Sequence, residues 1–545
     1  MISLNTKKTY FFIFSILLTL FFYTYDLSNL DGLRQGTEGF YLQVSKEMEQ
    51  KSSLLTPYYR GERHWSKPPL HFIFPLVFSK TGQFTHIHSA RLSIALLTVI
   101  LLLITSHWIK RHFEVSMHTS FLFLACTVGM FKYARIFMME IPLSLLTFVS
   151  ILLFYDYYKF NKSIYLALAV FFASCAILIK GPVSIIITIF ALGLYILYLI
   201  FTERPLPIKS TFKFVFWSLF FGSIWFVLSY IRYGHEFFDY FFLRENVGKF
   251  TAKSYPIRHV IQGLIIFTLP WSLFLPYSYL SIKDYLTKKN YHSNKKLVVF
   301  LIINSLSFLV IWCIPSQRSH HYAMPAVPFF LVLILITLVK SFSGNREHDK
   351  RFGIFKVGNI LLFSGAMLVT LVLSIACYYI DVILPHKDFF YEMLLLVTLV
   401  LLSAIIFLRS RNITFKSLSA QIFIGIVWVV LAPNFIPPFI PNTAKNIMMD
   451  KDVIASVRKP YFVEEAIGQS ITLQHASEMK KSFENDAIYL LRYEDFINNN
   501  FQNDAKILHE WDIWRRRTTA KQIFNALKIR DISSLRQKYV LFQKK

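Results

Sequence analysis

The sequence predicts a polytopic α-helical membrane protein of about 13 transmembrane helices that ends in a small C-terminal α/β domain. Three observations carry this. Hydrophobic residues fill 54% of the 545 positions and charged ones only 17%, and mean hydropathy is +0.46, a balance that no water-soluble fold of this length sustains. Apolar runs of about 18 residues or more recur, and in lipid only helices and closed barrels satisfy their backbone. Runs such as Leu96 to Ile104 lack the alternation of a barrel strand. After Pro433 the composition turns polar.

Taken in order, thirteen candidate spans run approximately over 9–25, 88–109, 116–134, 140–156, 163–180, 182–201, 213–232, 260–281, 297–314, 322–340, 357–380, 389–408 and 417–433. Lys7 and Lys8 precede the first, and no small-residue cleavage site is clear, so it reads as a retained span. Basic pairs set the orientation. Lys110-Arg111, Lys288-Lys289, Lys295-Lys296, Lys350-Arg351 and Arg409 with Arg411 fall on one side, which the positive-inside rule makes cytoplasmic. The opposite turns carry single charges: Arg135, Lys180, Arg318 and Lys387. The N-terminus is then inside and the C-terminus outside.

The expected domains are a membrane domain over 1–433, with long outward loops at 26–87 and 233–259, and an outward α/β domain over 434–545. Pro437-Pro438 and Pro441 make a stiff linker. In the tail, Ala487 to Leu491 and Tyr539 to Phe542 read as strands, and Asp452 to Lys459 and Ala520 to Lys528 as helices. No catalytic motif stands out there, so the plain reading of the tail is a scaffold or lid.

Fifty-eight Lys plus Arg against 32 Asp plus Glu give a net charge of +26. No zinc-finger spacing or arginine-rich arm points to nucleic acid, so the excess is read as basic loops facing anionic membrane lipids. Cys126, Cys175, Cys313 and Cys377 lie in or beside apolar segments as small buried hydrophobes, without disulfide or metal-ligand spacing. There is no P-loop and no dinucleotide glycine fingerprint. Activated groups must therefore arrive with the substrate.

Charged residues at the outward ends of spans are the candidates for chemistry. Glu38 lies in Gln35-Gly36-Thr37-Glu38-Gly39, just after the first span. The glycines allow a tight turn, and an amphipathic stretch from Tyr41 to Met48 pins the segment to the membrane surface, where a carboxylate can serve as general base. The plain alternative is a solvated loop acid. Lys67 precedes Pro68-Pro69, which stiffen its backbone, and its amine suits a phosphate. The plain alternative is a snorkelling lysine. Glu140 lies in Arg135 to Pro142 and Lys180 in Ile179 to Pro182, both at outward junctions where an embedded charge marks a function or an internal pair. Arg318 and Tyr322, in the turn Ser316 to Pro325, suit a phosphate or sugar hydroxyl. His320-His321 has no acidic neighbour in sequence, so no metal site is assigned.

In this order the motifs resemble the C-type membrane glycosyltransferases (GT-C architecture) of the protein O-mannosyltransferase class. Within it the chain is most similar to the bacterial 4-amino-4-deoxy-L-arabinose transferases that modify lipid A. The likeness rests on Glu38 to Met48, Lys67-Pro68-Pro69-Leu70, Ala134-Arg135 with Glu140, Lys180-Gly181-Pro182, Gly248-Lys249-Phe250, Pro270-Trp271 and Tyr322-Ala323-Met324-Pro325. It implies a bacterial inner-membrane enzyme that moves a sugar, with inversion, from an undecaprenyl-phosphate carrier to lipid A or another envelope glycolipid at the periplasmic face. A protein acceptor or, less fittingly, a transport role are the alternatives. Carried over, Lys67, Lys180, Lys249 and Tyr322 would hold the carrier phosphate, and Glu38 and Glu140 would be the catalytic acids. Tyr41, Arg135 and Arg318 would contact substrate. No cofactor is implied with certainty, and a divalent metal stays open. Where the arabinose transferases read Asp-Glu-Thr-Arg-Tyr, this chain has Thr37-Glu38-Gly39-Phe40-Tyr41. Their Glu-Lys-Pro-Pro is Ser66-Lys67-Pro68-Pro69, and their Arg-Phe is Lys249-Phe250, which keeps charge but loses a bidentate fork.

Overall fold

The computed structural model describes residues 4–30, 36–79, 81–202, 206–247, 255–287, 294–316, 318–343, 352–378, 390–410, 412–431, 433, 436–484, 486–515, 518–529 and 531–545. The chain forms two compact units. The first comprises Met1–Leu27, Val44–Thr370 and Thr398–Ile426, and the second Ser28–Gln43, Leu371–Val397 and Val427–Lys545.

The helices begin with α1 (Leu4–Thr24), α2 (Gly36–Gln50), the short α3 (Leu70–Ile73) and α4 (Leu76–Ser79), and α5 (His86–Phe113). There follow α6 (Met117–Ala125), α7 (Val128–Ala134), α8 (Glu140–Phe160), α9 (Ser163–Lys180), α10 (Val183–Thr202), α11 (Ile208–Gly222) and α12 (Ile224–Phe238). Next come α13 (Arg258–Phe267), α14 (Leu275–Thr287), α15 (Lys295–Ile311), α16 (Val327–Ser343) and α17 (Phe352–Tyr378), then Phe390–Arg409 and Ile413–Gly425. Among the described residues, seven helical runs are long and apolar enough to cross a bilayer, or eight if the bent pair at 258–283 is one span.

Several expected spans are interrupted, and local chemistry shows where. The run over 116–134 breaks between α6 and α7, where the Thr127 hydroxyl accepts the Met130 amide and starts a new helix. The run over 260–281 bends by 102° between Phe267 and Trp271, at Pro270, which cannot donate to a continuing helix. Other ends follow ordinary capping. Thr85 and Ser116 accept the amides of His88 and Thr119, each such cap contributing about 1 kcal/mol. Glu114 (φ 59°) and Asn161 (φ 52°) close α5 and α8 in the left-handed conformation.

Within the first unit α8 is the central element. Of its apolar window, 94% is buried in protein, against 17% for Gly353–Val372. It packs against α5 and α9. At one end its buried Asp156 accepts Trp108 Nε1 at 3.1 Å and lies 2.6 Å from His112 Nε2, which fastens it to α5. Its other end begins at Glu140.

The C-terminal segment of the second unit holds a five-stranded sheet in the order β4-β3-β5-β7-β6. Its strands are β3 (Val453–Ala455), β4 (Thr472–Leu473), β5 (Ile488–Arg492), β6 (Ala505–Trp514) and β7 (Arg536–Lys544). A small hairpin, β1 (Tyr58–Tyr59) and β2 (Glu62–Arg63), lies in the first unit. β4, β3 and β5 run parallel, and β7 is antiparallel to both β5 and β6. The helix expected over Asp452 to Lys459 is not there. β-branched Val453 and Ile454 instead place a strand between two parallel neighbours. Tyr489, Leu491, Phe496, Phe501, Val540 and Phe542 form a core beneath the sheet, each large side chain contributing about 1.5–3 kcal/mol of burial.

Candidate active site

α8 and α9 are antiparallel neighbours, so the first turn of one meets the last turn of the other. Glu140 occupies the first turn of α8 and Lys180 the last turn of α9, each with the sign that its helix dipole favours. Lys180 Nζ lies 3.9 Å from Glu140 Oε1. The other oxygen, Glu140 Oε2, is buried without a hydrogen-bond partner among the described residues. A buried acceptor left open in this way is costly, and a donor from a bound molecule would satisfy it.

The turn before α16 completes the cluster. His321 Nε2 is 3.6 Å from Glu140 Oε1, and Ser319 Oγ is 2.9 Å from its Nδ1. Burial, aided by Lys180, Lys132 and His320 and opposed by Glu140, pushes the His321 imidazole down to about 4. It is therefore neutral at pH 7, and Lys180 is the lysine at ion-pair distance from Glu140, with Lys132 also acting on that carboxylate. The ammonium of Lys180 lies 5.3 Å from the Trp312 ring centroid and 5.5 Å from that of Tyr322, and the two rings pack 5.0 Å apart. Both rings are within reach for a cation–π attraction on the lysine. The turn is backed tightly by α13: a Cβ on Gly263 would come within 2.1 Å of the His320 carbonyl oxygen.

Lys67 approaches the same region from the first loop. Pro69 precedes α3, and α3 packs against α9. His71 stacks on Phe137 at 4.1 Å, and burial, with Lys180 acting in the same direction, pushes it down to about 3. Lys67 Nζ donates to the Ser66 carbonyl at 2.6 Å and lies 3.9 Å from Glu245 Oε2. Glu245 sits on the π-helical run Asp239–Val247, whose Phe241 ring lies 3.4 Å from where a Cβ of Gly181 would be. Gly181 follows Lys180 with φ +86°, a conformation that favours glycine. Beneath Lys67, Trp65 is buried among Tyr233, Phe237 and Tyr240 at 5.0–5.8 Å.

The other expected residues are placed as follows. Arg135 donates to the carbonyls of Phe22 and Tyr25 at the end of α1, and Arg318 to those of Cys313 and Tyr255 at 2.7 and 2.8 Å. Both guanidiniums hold backbone around the turns that carry the site. Lys249 lies outside the described residues. Glu38 belongs to the second unit: it is fully buried in the first turn of α2, with Tyr41 one turn on. There Gly39 packs beneath Phe462, whose Cε2 would stand 3.0 Å from a Cβ at that position. Sequence reading gave no role to Trp312, and it set His321 aside because its carboxylate partner, Glu140, is remote along the chain. No group of three or more His, Cys, Asp or Glu among the described residues is arranged to hold a metal.

An apolar cavity of about 260 Å³ lies elsewhere in the first unit, lined by Val128, Leu269, Pro270, Leu361, Phe407 and Phe423 among others. Leu269 and Pro270, at the 102° bend, form part of its wall.

Residues 8–235 match the family described as dolichyl-phosphate-mannose-protein mannosyltransferase. The whole chain superposes on ArnT from Cupriavidus metallidurans, crystallised bound to undecaprenyl phosphate. The TM-score is 0.67 at 14% identity, covering 99% of this chain and 98% of that one. The chain has the GT-C fold. The apo form of the same ArnT matches equally, with a TM-score of 0.67. Two uncharacterized proteins of Aquifex aeolicus (strain VF5) are similar in sequence. One is 27% identical over 375 residues, 68% of this chain and 70% of its own length. The other is 26% identical over 342 residues, 62% of this chain and 74% of its own. A multi-pass membrane protein with a GT-C fold, similar over residues 8–235 to that mannosyltransferase family, is thus what the comparisons describe.

Proposed function

We propose that the chain is a glycosyltransferase that moves a sugar from a polyprenyl-phosphate carrier, undecaprenyl phosphate, to lipid A or another envelope glycolipid at the periplasmic face of the inner membrane. The observation that carries this reading is the Glu140–Lys180 pair at 3.9 Å, with one carboxylate oxygen still open, at the meeting of two helix ends. The ArnT of the same fold is described as bound to undecaprenyl phosphate, and the apolar cavity at the α13–α14 bend suits an isoprenoid tail.

In this reading the bond between the anomeric carbon and the carrier phosphate breaks, and the phosphate leaves with the electron pair. Positive charge from Lys180 and Lys67, a hydroxyl from Tyr322, and Lys249 stabilise that departing dianion. The acceptor oxygen attacks the opposite face, which inverts the centre, and its proton passes to Glu38 as general base. An acceptor that is itself a phosphate carries no such proton, and Glu38 then only orients it. Glu140 holds Lys180 in place and offers Oε2 to a sugar hydroxyl. Arg135 and Arg318 act through the backbone they hold, and Tyr41 shares the α2 face near Glu38.

The family matched by residues 8–235 is named for a protein acceptor, which favours a second reading in which the sugar goes to secreted protein. Mass spectrometry of lipid A from cells with and without the chain decides between them. A sugar present only with the chain supports the lipid acceptor. Unchanged lipid A with a sugar lost from secreted protein supports the second reading, and no change in either overturns both.

A further inference from the structure

The second unit contains a cavity that no step above uses. It has a volume of about 900 Å³, within the range of sites for ligands of a few rings. Its position follows from the sheet. From β3 the chain crosses to β4 on one side, then returns past β3 to β5 on the other, so β3 and β5 flank a switch in direction. In sheets with parallel strands, the crevice beyond the carboxyl ends at such a switch is where ligands bind. Here the Ser456 amide donates to the Leu490 carbonyl at 3.0 Å and holds the two strand ends together. The segment after β3 brings Arg458 and Lys459 to the cavity, and the end of β5 brings Arg492.

The cations outnumber the acids. Arg458 is exposed and makes no hydrogen bond or ion pair among the described residues. Arg492 grips Asp495 through Nε at 2.7 Å and Nη2 at 3.1 Å, which leaves Nη1 over. Tyr539, the cross-strand partner of Arg492, and Trp514 also line the cavity, and Arg536 stands 5.6 Å over the Trp514 ring. Guanidiniums recognise phosphate oxygens bidentately, while an indole gives a broad apolar face with one donor, suited to a sugar ring. The helix that leaves the cavity, Pro460–Ile467, carries the Phe462 that packs on Gly39, next to Glu38.

We propose that this crevice binds a phosphorylated saccharide, the headgroup of the acceptor, with Arg458, Lys459 and Arg492 on its phosphate and Trp514 against its sugar. The assignment of the ligand as acceptor rests on the glycosyltransferase reading; the binding itself does not.

The test uses the full chain in nanodiscs, titrated by calorimetry with a glucosamine disaccharide 1-phosphate, the same disaccharide without phosphate, and inorganic phosphate. The phosphorylated disaccharide is expected to bind at least about tenfold tighter than either other probe. R458Q and W514A should each weaken it at least about fivefold at an unchanged melting temperature. If W514A melts early, R458Q, on an exposed side chain, carries the comparison. Equal binding by wild type and R458Q overturns the proposal, and so does inorganic phosphate binding as tightly as the disaccharide phosphate. Sugar transfer from a labelled polyprenyl-phosphate donor is measured in parallel on the wild type. Its absence would fail the enzyme reading while leaving the binding result to stand or fall alone.

Discussion

Lys180 is where sequence reading and structure meet most directly at the scale of single residues. A cation between two apolar runs had to be paired or functional, and it stands 3.9 Å from Glu140. Lys180→Ala should lower kcat/KM by about 10²–10³-fold, the cost of removing one donor from a developing negative charge, with Lys180→Arg restoring part of it. An unchanged kcat/KM would remove Lys180 from the phosphate site. Glu38→Gln should abolish transfer to a hydroxyl acceptor while carrier binding persists, and full transfer by that variant would show that Glu38 is not the base. His321 gives a prediction in pH. Its folded value of about 4 lies below the ordinary value of 6.5, so the unfolded chain takes up the proton first as pH falls. Its stabilising contribution is complete above pH 6.5 and is lost through the window down to about 4. Melting temperatures at pH 7.5 and 5 should therefore differ more for wild type than for His321→Gln. The pairing of His321 with Glu140 was illegible because nothing in either local pattern names the other.

Elements read from hydropathy gave the right substance and the wrong continuity. Apolarity reports that a stretch avoids water, and it does not report a break such as Thr127 or Pro270, because a broken helix is as apolar as a straight one. The strand at Val453–Ala455 escaped notice for a related reason: three residues are too few to show a period. The elements do explain why the site holds its shape. Gly263 lets α13 lie directly on the His320–Ala323 turn. Gly263→Ala should displace that turn, destabilising the fold by an overpacking cost of about 1–3 kcal/mol or more, which a lower melting temperature would register, and weakening carrier binding with it. Gly39 packs on Phe462 in the same manner. Phe462→Ala should impair transfer through Glu38 with carrier binding retained, and normal transfer would show that this contact does not position the carboxylate.

The molecule as a whole joins a helical unit whose outer members face lipid to a unit built on a mixed sheet. Class and membrane character were legible because they follow from average composition, which many residues write together. The crevice beyond β3 and β5 was not, since Arg458, Arg492 and Trp514 converge only through strand order. The sheathing of α8 has a further consequence. With 94% of its apolar stretch enclosed by protein, against 17% for Gly353–Val372, it scarcely touches acyl chains. Thinner or thicker membranes will tilt the peripheral helices, while Glu140, rooted at the tip of an insulated post, keeps its depth. Turnover in vesicles of short and long lipids should accordingly vary through access of the lipid substrates far more than through the Glu140–Lys180 geometry.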